Sequence, residues 1–441
     1  MKAILALDAG TTNVKAILVD RQTNVLARNS VPLAIDFPRS GWVEQSGEEI
    51  WEAARKALEG CVAQGSKHEV VALGISNQRE TLVAWSRNSG QTVAPCIVWQ
   101  CRRSAEICET LRKKGFEDTI RDKTGLQVDP LFPSSKIQWL LENRPDIRKL
   151  AEAGDICLGT VDAWLIWKLT GGKRFATDFS NASRTQLFNI TKGTWDPELL
   201  RLFGVPASAL PEVVASNESL GDAVLSTGKT IAICGILADS HAALLGHGVL
   251  ERGKVKATYG TGSSLMTLCE GPQDAEKGIS STIAWKFDRI QYAYEGNITV
   301  TGSGLSWALA LLGGESLEPA VKAASELESN EGVYFVPALA GLGAPHWDEK
   351  ARGAIVGLSF GTRKEHLVRA ALEAIAFQIK DVFDAMQRAA GARLETLLAD
   401  GGATKSDWLM QFQADVLDRA VLRSHTAELS GLGAAFAAGL G

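Results

Sequence analysis

The stretch AILALDAGTTNVKAILVD, residues Ala3–Asp20, places a short turn of glycine and threonine between two apolar runs. An apolar run, a polar turn and a second apolar run predict a β-hairpin, not a strand that leads into a helix. In the Rossmann and Walker types of phosphate loop the glycines open a helix, so this turn belongs to neither type. Gly10 would let the backbone approach an anion, and the hydroxyls of Thr11 and Thr12 can donate hydrogen bonds to a phosphate.

Asp8 stands at the end of the first apolar run, immediately before the turn. A carboxylate beside a phosphate-binding turn can hold a magnesium ion through water. An ordinary hairpin with a polar turn is the alternative interpretation when this segment is considered alone. Asp8 is therefore a candidate metal ligand whose role depends on the rest of the chain.

The composition excludes several functional classes. The chain has 441 residues, 45% of them hydrophobic, and a formal net charge of −5. This balance argues against non-specific nucleic-acid binding, which needs a basic surface. No apolar run approaches the roughly 18 residues of a membrane span, and the sequence begins with a strand pattern and not with a signal peptide. We expect a cytoplasmic protein without nucleic-acid or membrane partners, whose seven cysteines are reduced thiols.

Strand-like runs alternate with amphipathic helical stretches along the chain, which predicts an α/β protein. A pattern similar to that of the first hairpin occurs in the second half of the chain. There the polar turn Thr258–Ser264 follows Val255–Ala257, in which apolar and polar residues alternate. Two similar halves that each offer a phosphate turn would form a cleft that holds a nucleotide. Glycines cluster around 245–252, so we expect domains at residues 1–248 and 249–441.

A dense polar set, Gly74–Glu80, follows the apolar strand Val70–Leu73. Arg79 and Glu80 supply a charged donor and an acceptor suited to neighbouring hydroxyls of a small polyol. Ligands of open α/β sheets bind beyond such carboxyl ends of strands. Trp99, at the end of another predicted strand, adds an apolar wall for a carbon chain. A surface ion pair is the alternative for Arg79 and Glu80 on spacing alone.

Asp239 stands between the apolar strand Ile231–Leu237 and residues that indicate the start of a helix. An acid at a helix N-terminus is favoured by the helix dipole, so capping is one interpretation. In the other interpretation, ionised Asp239 accepts a proton from a hydroxyl as that hydroxyl attacks a γ-phosphate.

A double glycine, Gly401–Gly402, follows the predicted strand Leu397–Ala399. It would let a flat adenine or ribose approach the backbone. A simple turn between a strand and a helix is the alternative.

Taken together, ordered segments over nearly the whole chain resemble the FGGY carbohydrate kinases, and most closely the glycerol kinases. The matching segments are Gly41–Gln45, Ile75–Glu80, Ile97–Arg103, Asp162–Trp167, Asn181–Thr185, Tyr259–Gly262, Pro337–Trp347 and Met410–Asp415. The resemblance implies two actin-like domains of the ribonuclease H type, with the nucleotide and the substrate in a cleft between them. It also implies ATP as the phosphate donor, with Mg²⁺.

The resemblance carries roles over to matching positions. At the phosphates it implies Thr11, Thr12, Asn13 and Lys15. In the polyol pocket it implies Arg79, Glu80, Trp99 and Asp239, with Asp239 as the catalytic base. At the nucleotide it implies Thr261, Gly302, Ser306, Gly402 and Ser406.

Five of the matched positions depart from the family pattern. Lys15 stands where glycerol kinases usually carry arginine, and it offers a point charge in place of a bidentate fork. Ser306 and Ser406 replace the usual glutamine and asparagine. In the substrate pocket Leu131 replaces a tyrosine and Ser240 a glutamine. The loss of these polar groups would weaken the binding of a small polyol and leave room for a longer polyol or ketose.

The sequence therefore predicts an ATP- and magnesium-dependent kinase that phosphorylates a terminal hydroxyl of a small polyol, with glycerol as the leading substrate. The alternative is an FGGY kinase for a four- or five-carbon polyol or ketose (erythritol, ribulose or xylulose), which Leu131 and Ser240 favour. An actin-like assembly or chaperone ATPase would not need a polyol pocket, and a binding regulator without turnover would not need both Asp8 and Asp239. A homodimer is the candidate oligomer.

Overall fold

The computed structural model describes residues 1–272, 278–314 and 316–441. The strands are β1 Lys2–Ala9, β2 Asn13–Val19, β3 Val25–Pro32, β4 Glu44–Gln45, β5 Glu69–Asn77, β6 Val83–Ser86, β7 Cys96–Ile97, β8 Ile156–Gly159, β9 Ala176–Asp178, β10 Phe188–Asn189, β11 Thr194–Trp195, β12 Glu212–Val214, β13 Asp222–Val224, β14 Thr230–Ala238, β15 Lys254–Tyr259, β16 Ser263–Cys269, β17 Ser280–Lys286, β18 Ile290–Ile298, β19 Tyr334–Val336, β20 Ala354–Val356, β21 Thr396–Asp400 and β22 Ala420–Arg423.

The helices are α1 Gly47–Gln64, α2 Ala105–Lys113, α3 Glu117–Thr124, α4 Pro133–Asn143, α5 Pro145–Glu152, α6 Val161–Leu169, α7 Phe179–Ala182, α8 Pro197–Phe203, α9 Asp239–Gly246, α10 Gly302–Leu311, α11 Leu317–Ser325, α12 Lys364–Ala390, α13 Asp407–Leu417 and α14 Leu429–Leu440. Short 3₁₀ helices cover Ala207–Ala209 and Gly402–Lys405. Within the described part of the chain, no helix combines the length and the apolarity needed to cross a membrane.

The chain packs into two units that are not continuous in sequence. The first comprises Met1–Gly248, Thr282–Tyr292 and Glu428–Gly441, and the second comprises Val249–Ser281 and Ala293–Ala427. The ranges predicted from the sequence, 1–248 and 249–441, differ from these units because two later segments pack with the first. The last of these segments carries α14, whose apolar face lies against the sheet of the first unit.

The first unit is built on a six-stranded sheet in the order β13-β14-β5-β1-β2-β3. The predicted N-terminal hairpin is confirmed: β1 and β2 pair antiparallel, with Asp8 opposite Lys15. On its other side β1 pairs parallel with β5, and β5 pairs parallel with β14. Burial explains this arrangement, since Leu5, Leu7 and Ile75 are enclosed in the core between the sheet and its helices.

A second six-stranded sheet, whose central strands β16, β15 and β21 belong to the second unit, repeats this pattern in the order β17-β18-β16-β15-β21-β22. Its central strand β15 forms an antiparallel hairpin with β16 and pairs parallel with β21. The sequence similarity between Asp8–Lys15 and Thr258–Ser264 therefore corresponds to two hairpins at equivalent positions in their sheets. The predicted α/β class with two related halves is confirmed.

Helix α1 shows how local sequence sets an element in place beside the first hairpin. Ser46 accepts a hydrogen bond from the backbone N–H of Glu49 at 3.3 Å, which satisfies one donor of the first turn. Ile50, Ala54 and Leu58 recur every four residues and are fully buried, so a single apolar face packs against the sheet.

Helix α14 is the element that closes the first unit. It packs across β14, β5 and β1 and beside α9. Glycines permit the close approach, because a Cβ on Gly433 would collide with the backbone of Ala242, and a Cβ on Gly74 with the backbone of Ala434. Leu432 and Ala435 complete an apolar cluster with Ile17.

We expect Gly433→Ala to lower the free energy of unfolding by about 1–3 kcal/mol, since backbone atoms of Ala242 cannot move aside as a side chain can. The matched control in the same helix is Gly439→Ala, whose new methyl would meet only the flexible end of Ile4, at 3.1 Å. Urea unfolding of both variants measures the difference. Equal stability of the two proteins would contradict this account of α14 packing.

Candidate active site

Strands β1, β5 and β14 lie side by side in the first unit and end at the same level. Ala9 is opposite Asn77, and Asn77 is opposite Ala238. The residues around these ends are therefore delivered to one edge of the sheet, which is where ligands of such sheets bind. Arg79 follows β5 by two residues and Asp239 follows β14 directly, so residues far apart in sequence meet here.

Arg79, Glu80 and Asp239 form a cluster of charges at this edge. Arg79 Nε lies 3.0 Å from Asp239 Oδ1 and 3.9 Å from Glu80 Oε2. The side chains of Arg79 and Glu80 are 10% and 5% exposed, whereas that of Asp239 is 39% exposed. Asp239 is also the first residue of α9, and its Oδ1 accepts a hydrogen bond from the N–H of Ser240 at 2.7 Å. The N-cap of α9 is Ala238, so Asp239 does not cap the helix; it lies in the first turn, where the helix dipole favours its charge, and it remains accessible.

Glu80 is held in a backbone conformation that a glutamate rarely adopts. Its φ of 59° lies in the left-handed region, which for a residue other than glycine costs on the order of 1–3 kcal/mol. Arg184 Nε donates to Glu80 Oε1 at 2.8 Å, and Lys136 Nζ donates to the Glu80 carbonyl oxygen, also at 2.8 Å. These buried donors hold both ends of the residue, so its carboxylate has a fixed orientation.

Trp99 connects Thr81, the residue after Glu80, to the first hairpin. Its indole Nε1 donates to Thr11 Oγ1 at 3.0 Å, and its backbone N–H donates to Thr81 Oγ1 at 3.2 Å. Trp99 lies two residues beyond β7 and keeps 36% of its surface exposed. In the same turn Asn13 Nδ2 donates to Thr12 Oγ1 at 3.2 Å. A candidate pocket wall and the candidate phosphate turn are therefore joined by a hydrogen bond.

Gly10 has an ordinary backbone conformation in this turn, because its φ is not in the left-handed region. A Cβ there would lie 3.1 Å from the carbonyl oxygen of Asn13, which is tight contact. Gly260, in the second hairpin, shows the same distance to the oxygen of Gly262. In both turns, close packing and not an unusual φ disfavours a larger residue.

Lys15 faces an acid that the sequence did not single out. Lys15 Nζ lies 3.7 Å from Glu428 Oε2, and Arg28 Nε lies 3.5 Å from Glu428 Oε1. Glu428 directly precedes α14 and is 7% exposed. Lys15 is therefore ion-paired here, and any phosphate that it contacts competes with a buried carboxylate.

Asp8 lies on the same face of the hairpin. Burial raises the pKa of the Asp8 carboxyl to about 6, and Asp239 adds to the shift, while Lys15 and the Ser76 hydroxyl offset part of it. Its Oδ1 is enclosed and has no hydrogen-bond partner among the residues that the structure describes. The same part of the chain contains no group of three or more potential metal ligands. An enclosed carboxylate oxygen without a partner fits a magnesium ion that takes its other ligands from water and phosphates.

The two positions predicted to line the substrate pocket, Leu131 and Ser240, differ in how they are held. Leu131 is half-buried; its N–H donates to Asp129 Oδ1 at 2.8 Å and its carbonyl accepts from Lys136 Nζ at 2.7 Å. Its backbone is therefore anchored while its side chain offers no hydrogen bond. Ser240 follows Asp239 in the first turn of α9 and is largely buried. Next to it, His241 Nε2 lies 3.3 Å from Thr282 Oγ1.

In the second unit the hairpin turn meets the start of α10. The Thr261 carbonyl accepts from the N–H groups of Thr301 at 3.0 Å and Ser303 at 3.1 Å, and Gly302 N–H donates to the Gly260 carbonyl at 3.1 Å. A Cβ on Gly302 would lie 2.6 Å from that oxygen, so the approach requires glycine. The structure thus brings Thr261 and Gly302 together, as expected of residues that share a ligand.

The double glycine follows β21, which pairs with β15. Gly401 has a φ of 96°, and a Cβ there would collide with the carbonyl oxygen of Tyr259, whereas Gly402 has open space where a Cβ would stand. Ser406 caps α13, since its Oγ accepts from Leu409 N–H at 3.2 Å. Ser306 is exposed on α10, one turn after the residues that contact the hairpin.

Sequence reasoning assigned no role to Lys136, Arg184 or Glu428. Lys136 has a detectable signal, because it is a charged residue on the buried face of α4 beside Ile137 and Leu140. Arg184 belongs to a segment that matches the family, but its partner Glu80 is 104 positions away. Only the fold shows these contacts.

The buried Lys136 makes stability depend on pH. Burial lowers the pKa of its ammonium from 10.5 to about 7, against the attraction of Glu80 and Asp129. Between these values the unfolded chain binds more protons than the folded chain, so stability rises with pH. We expect the free energy of unfolding of the wild type to rise relative to Lys136→Met from pH 7 to pH 9, by at most about 1.4 kcal/mol per pH unit. Urea unfolding of both proteins at the two pH values provides the measurement, and a constant difference would contradict the assignment.

Comparisons with known proteins agree with this geometry. Residues 3–246 match the N-terminal domain, and residues 255–441 the C-terminal domain, of the FGGY family of carbohydrate kinases. The chain is 47% identical over 440 residues to the apulose kinase of Pectobacterium atrosepticum, covering 99% of this chain and 89% of that relative. It is 46% identical over 450 residues to the glycerol kinase of Desulforamulus reducens, covering 100% of this chain and 89% of that relative.

Among solved structures, Plasmodium falciparum glycerol kinase with ADP superimposes with a TM-score of 0.94 at 34% identity, covering 100% of this chain and 89% of that one. The two sheets of similar topology, the two matched family domains and the relatives that align over the full chain all indicate the same family. The chain belongs to the FGGY family of carbohydrate kinases and is an ATP-dependent sugar or polyol kinase.

Proposed function

We propose that this kinase transfers the γ-phosphate of ATP to a terminal hydroxyl of a small polyol, with glycerol as the substrate. The observation that carries the proposal is the cluster of Arg79, Glu80 and Asp239 at the joint ends of β5 and β14. It offers one donor between two acceptors, and Trp99 donates its backbone N–H to Thr81, the residue after Glu80. A short polyol fits such a set, because each hydroxyl can donate to a carboxylate and accept from the guanidinium.

In this proposal Asp239 is the catalytic base. It accepts the proton of the terminal hydroxyl while the hydroxyl oxygen forms a bond to the γ-phosphorus and ADP leaves. Its exposed carboxylate is held by Arg79 at 3.0 Å, which fixes the direction from which the proton is taken. Arg79 and Glu80 bind the remaining hydroxyls and orient the acceptor.

In the same proposal, the two hairpin turns bind the phosphates of ATP. The residues around α10 and β21 bind its adenosine. Thr11, Thr12, Asn13 and Lys15 hold the phosphate groups. The nucleotide contacts are Thr261, Gly302, Ser306, Gly402 and Ser406. Asp8 would hold Mg²⁺, which when bound neutralises charge on the β- and γ-phosphates.

A second candidate function is the phosphorylation of a four- or five-carbon polyol or ketose. Leu131 places an aliphatic side chain where the family resemblance leads us to expect a hydroxyl, and Ser240 is shorter than the expected amide. The 47% identity to a protein named for apulose supports the same class. ADP release measured with glycerol, erythritol, ribulose, xylulose and apulose ranks the candidates by kcat/KM.

A homodimer remains a prediction, which analytical ultracentrifugation tests.

We expect Asp239→Asn to lower kcat about 10²–10⁴-fold, because an amide cannot accept the proton, while ATP binding measured by calorimetry stays near wild type. The control is Asp146→Asn, which removes an exposed first-turn acid of α5 that pairs with Arg144 at 2.7 Å. A kcat for Asp239→Asn above half the wild-type value would exclude its role as base.

The double variant Leu131→Tyr with Ser240→Gln should lower KM for glycerol on the order of tenfold, since each regained hydrogen bond contributes about 0.5–1.5 kcal/mol. Its activity on longer acceptors should fall, because the larger side chains fill their space. The two single variants show whether the gains add. Loss of glycerol activity with retention of a longer acceptor would reject glycerol and favour the second candidate.

A further inference from the structure

One buried turn of the first unit, Asp178–Thr185, contacts the elements that carry the acceptor-pocket residues. It is assigned no role by the function proposed above. Asp178, Ser180, Asn181 and Arg184 are each 0–1% exposed. A run of polar residues this completely enclosed is costly unless every group has a partner and the arrangement serves a purpose.

The turn fixes the ends of the two strands that carry the charged cluster. Asp178 caps α7 by accepting from the N–H groups of Ser180 at 3.0 Å and Asn181 at 2.9 Å. Ser180 Oγ in turn accepts from the N–H of Ala238, the residue before Asp239, at 3.0 Å. Asn181 and Asn77 exchange two side-chain hydrogen bonds, at 3.0 and 3.2 Å. The end of β14 and the end of β5 are thus bound to the same short helix.

Arg184 extends this connection to the substrate residues themselves. Its Nε donates to Glu80 Oε1 at 2.8 Å, and its guanidinium lies 5.2 Å from the ring centroid of Phe132. Glu80 Oε2 faces Arg79 Nε, which contacts Asp239. The four side chains therefore form a line of alternating charge that begins in the buried turn and ends at the exposed carboxylate.

We propose that Arg184 is a positioning residue for acceptor binding: it orients the Glu80 carboxylate and, through Glu80, the guanidinium of Arg79. The inference rests on the proposed function, because it needs Glu80 to bind the acceptor. Arg184 has no need to touch the acceptor. A charge-assisted hydrogen bond at one carboxylate oxygen selects one rotamer of Glu80 and directs the other oxygen to the site.

The test compares Arg184→Gln and Arg184→Lys with the wild type, using ADP release to measure KM for the acceptor and KM for ATP separately. We expect Arg184→Gln to raise KM for the acceptor at least tenfold while KM for ATP changes less than twofold. Arg184→Lys keeps the charge and should recover part of the loss. The matched control is Arg103→Gln, which removes a second buried arginine (4% exposed) that pairs with Glu44 at 2.7 Å; its KM for the acceptor should stay within twofold.

A double-mutant cycle separates positioning from general loss of structure. If Arg184 acts through Glu80, then in a Glu80→Gln background the change at Arg184 should alter kcat/KM less than threefold. Additive effects, or an unchanged KM for the acceptor in an active Arg184→Gln enzyme, would overturn the inference and leave the proposed function standing. A wild type that releases no ADP with any acceptor of the panel would overturn both. If Arg184→Gln does not fold, Arg184→Lys takes its place in the cycle.

Discussion

The parallel register of β1, β5 and β14 is the constraint on which the first unit depends. Because Ala9, Asn77 and Ala238 are neighbours across these strands, the residues that follow them meet at one edge. A shift of one residue in either pairing would turn the side chains of that strand to the opposite face. Apolar burial on both faces of the sheet prevents such a shift, so the core determines the geometry of the charged cluster.

The charged cluster and the residues that hold it combine unfavourable features that offset one another. Glu80 is held in the left-handed region, Lys136 is enclosed with its amino group donating to two carbonyl oxygens, and Arg184 is buried against a carboxylate. Each of these features is unfavourable in isolation, since buried charge and unusual φ both destabilise a chain. Together they satisfy one another, and the result is a rigid set of donors and acceptors. For the acceptor that we propose, a fixed set of donors and acceptors matters, because a misplaced hydroxyl is not phosphorylated efficiently.

The last segment of the chain contributes to the first unit in two ways. Helix α14 closes the sheet through contacts that only glycine permits, and Glu428, directly before it, pairs with Lys15 and Arg28. The candidate phosphate turn therefore lies beside an acid supplied from more than 400 positions further along the sequence. This position explains why Lys15 does not act as an isolated cation, and it connects the packing of α14 to the electrostatics of the hairpin.

The sequence by itself determined the local elements and the family. The hairpins at Asp8–Lys15 and Thr258–Ser264, the start of a helix at Asp239 and the relation between the two halves could be predicted, because apolar alternation and turn residues act over short range. The family match also identified Arg79, Glu80 and Asp239 as a set. Only the tertiary structure revealed the roles of Lys136, Arg184 and Glu428, and the return of residues 282–292 and 428–441 to the first unit. These features depend on contacts between residues that are distant in sequence, and no local pattern encodes which buried cation will lie against which carboxylate.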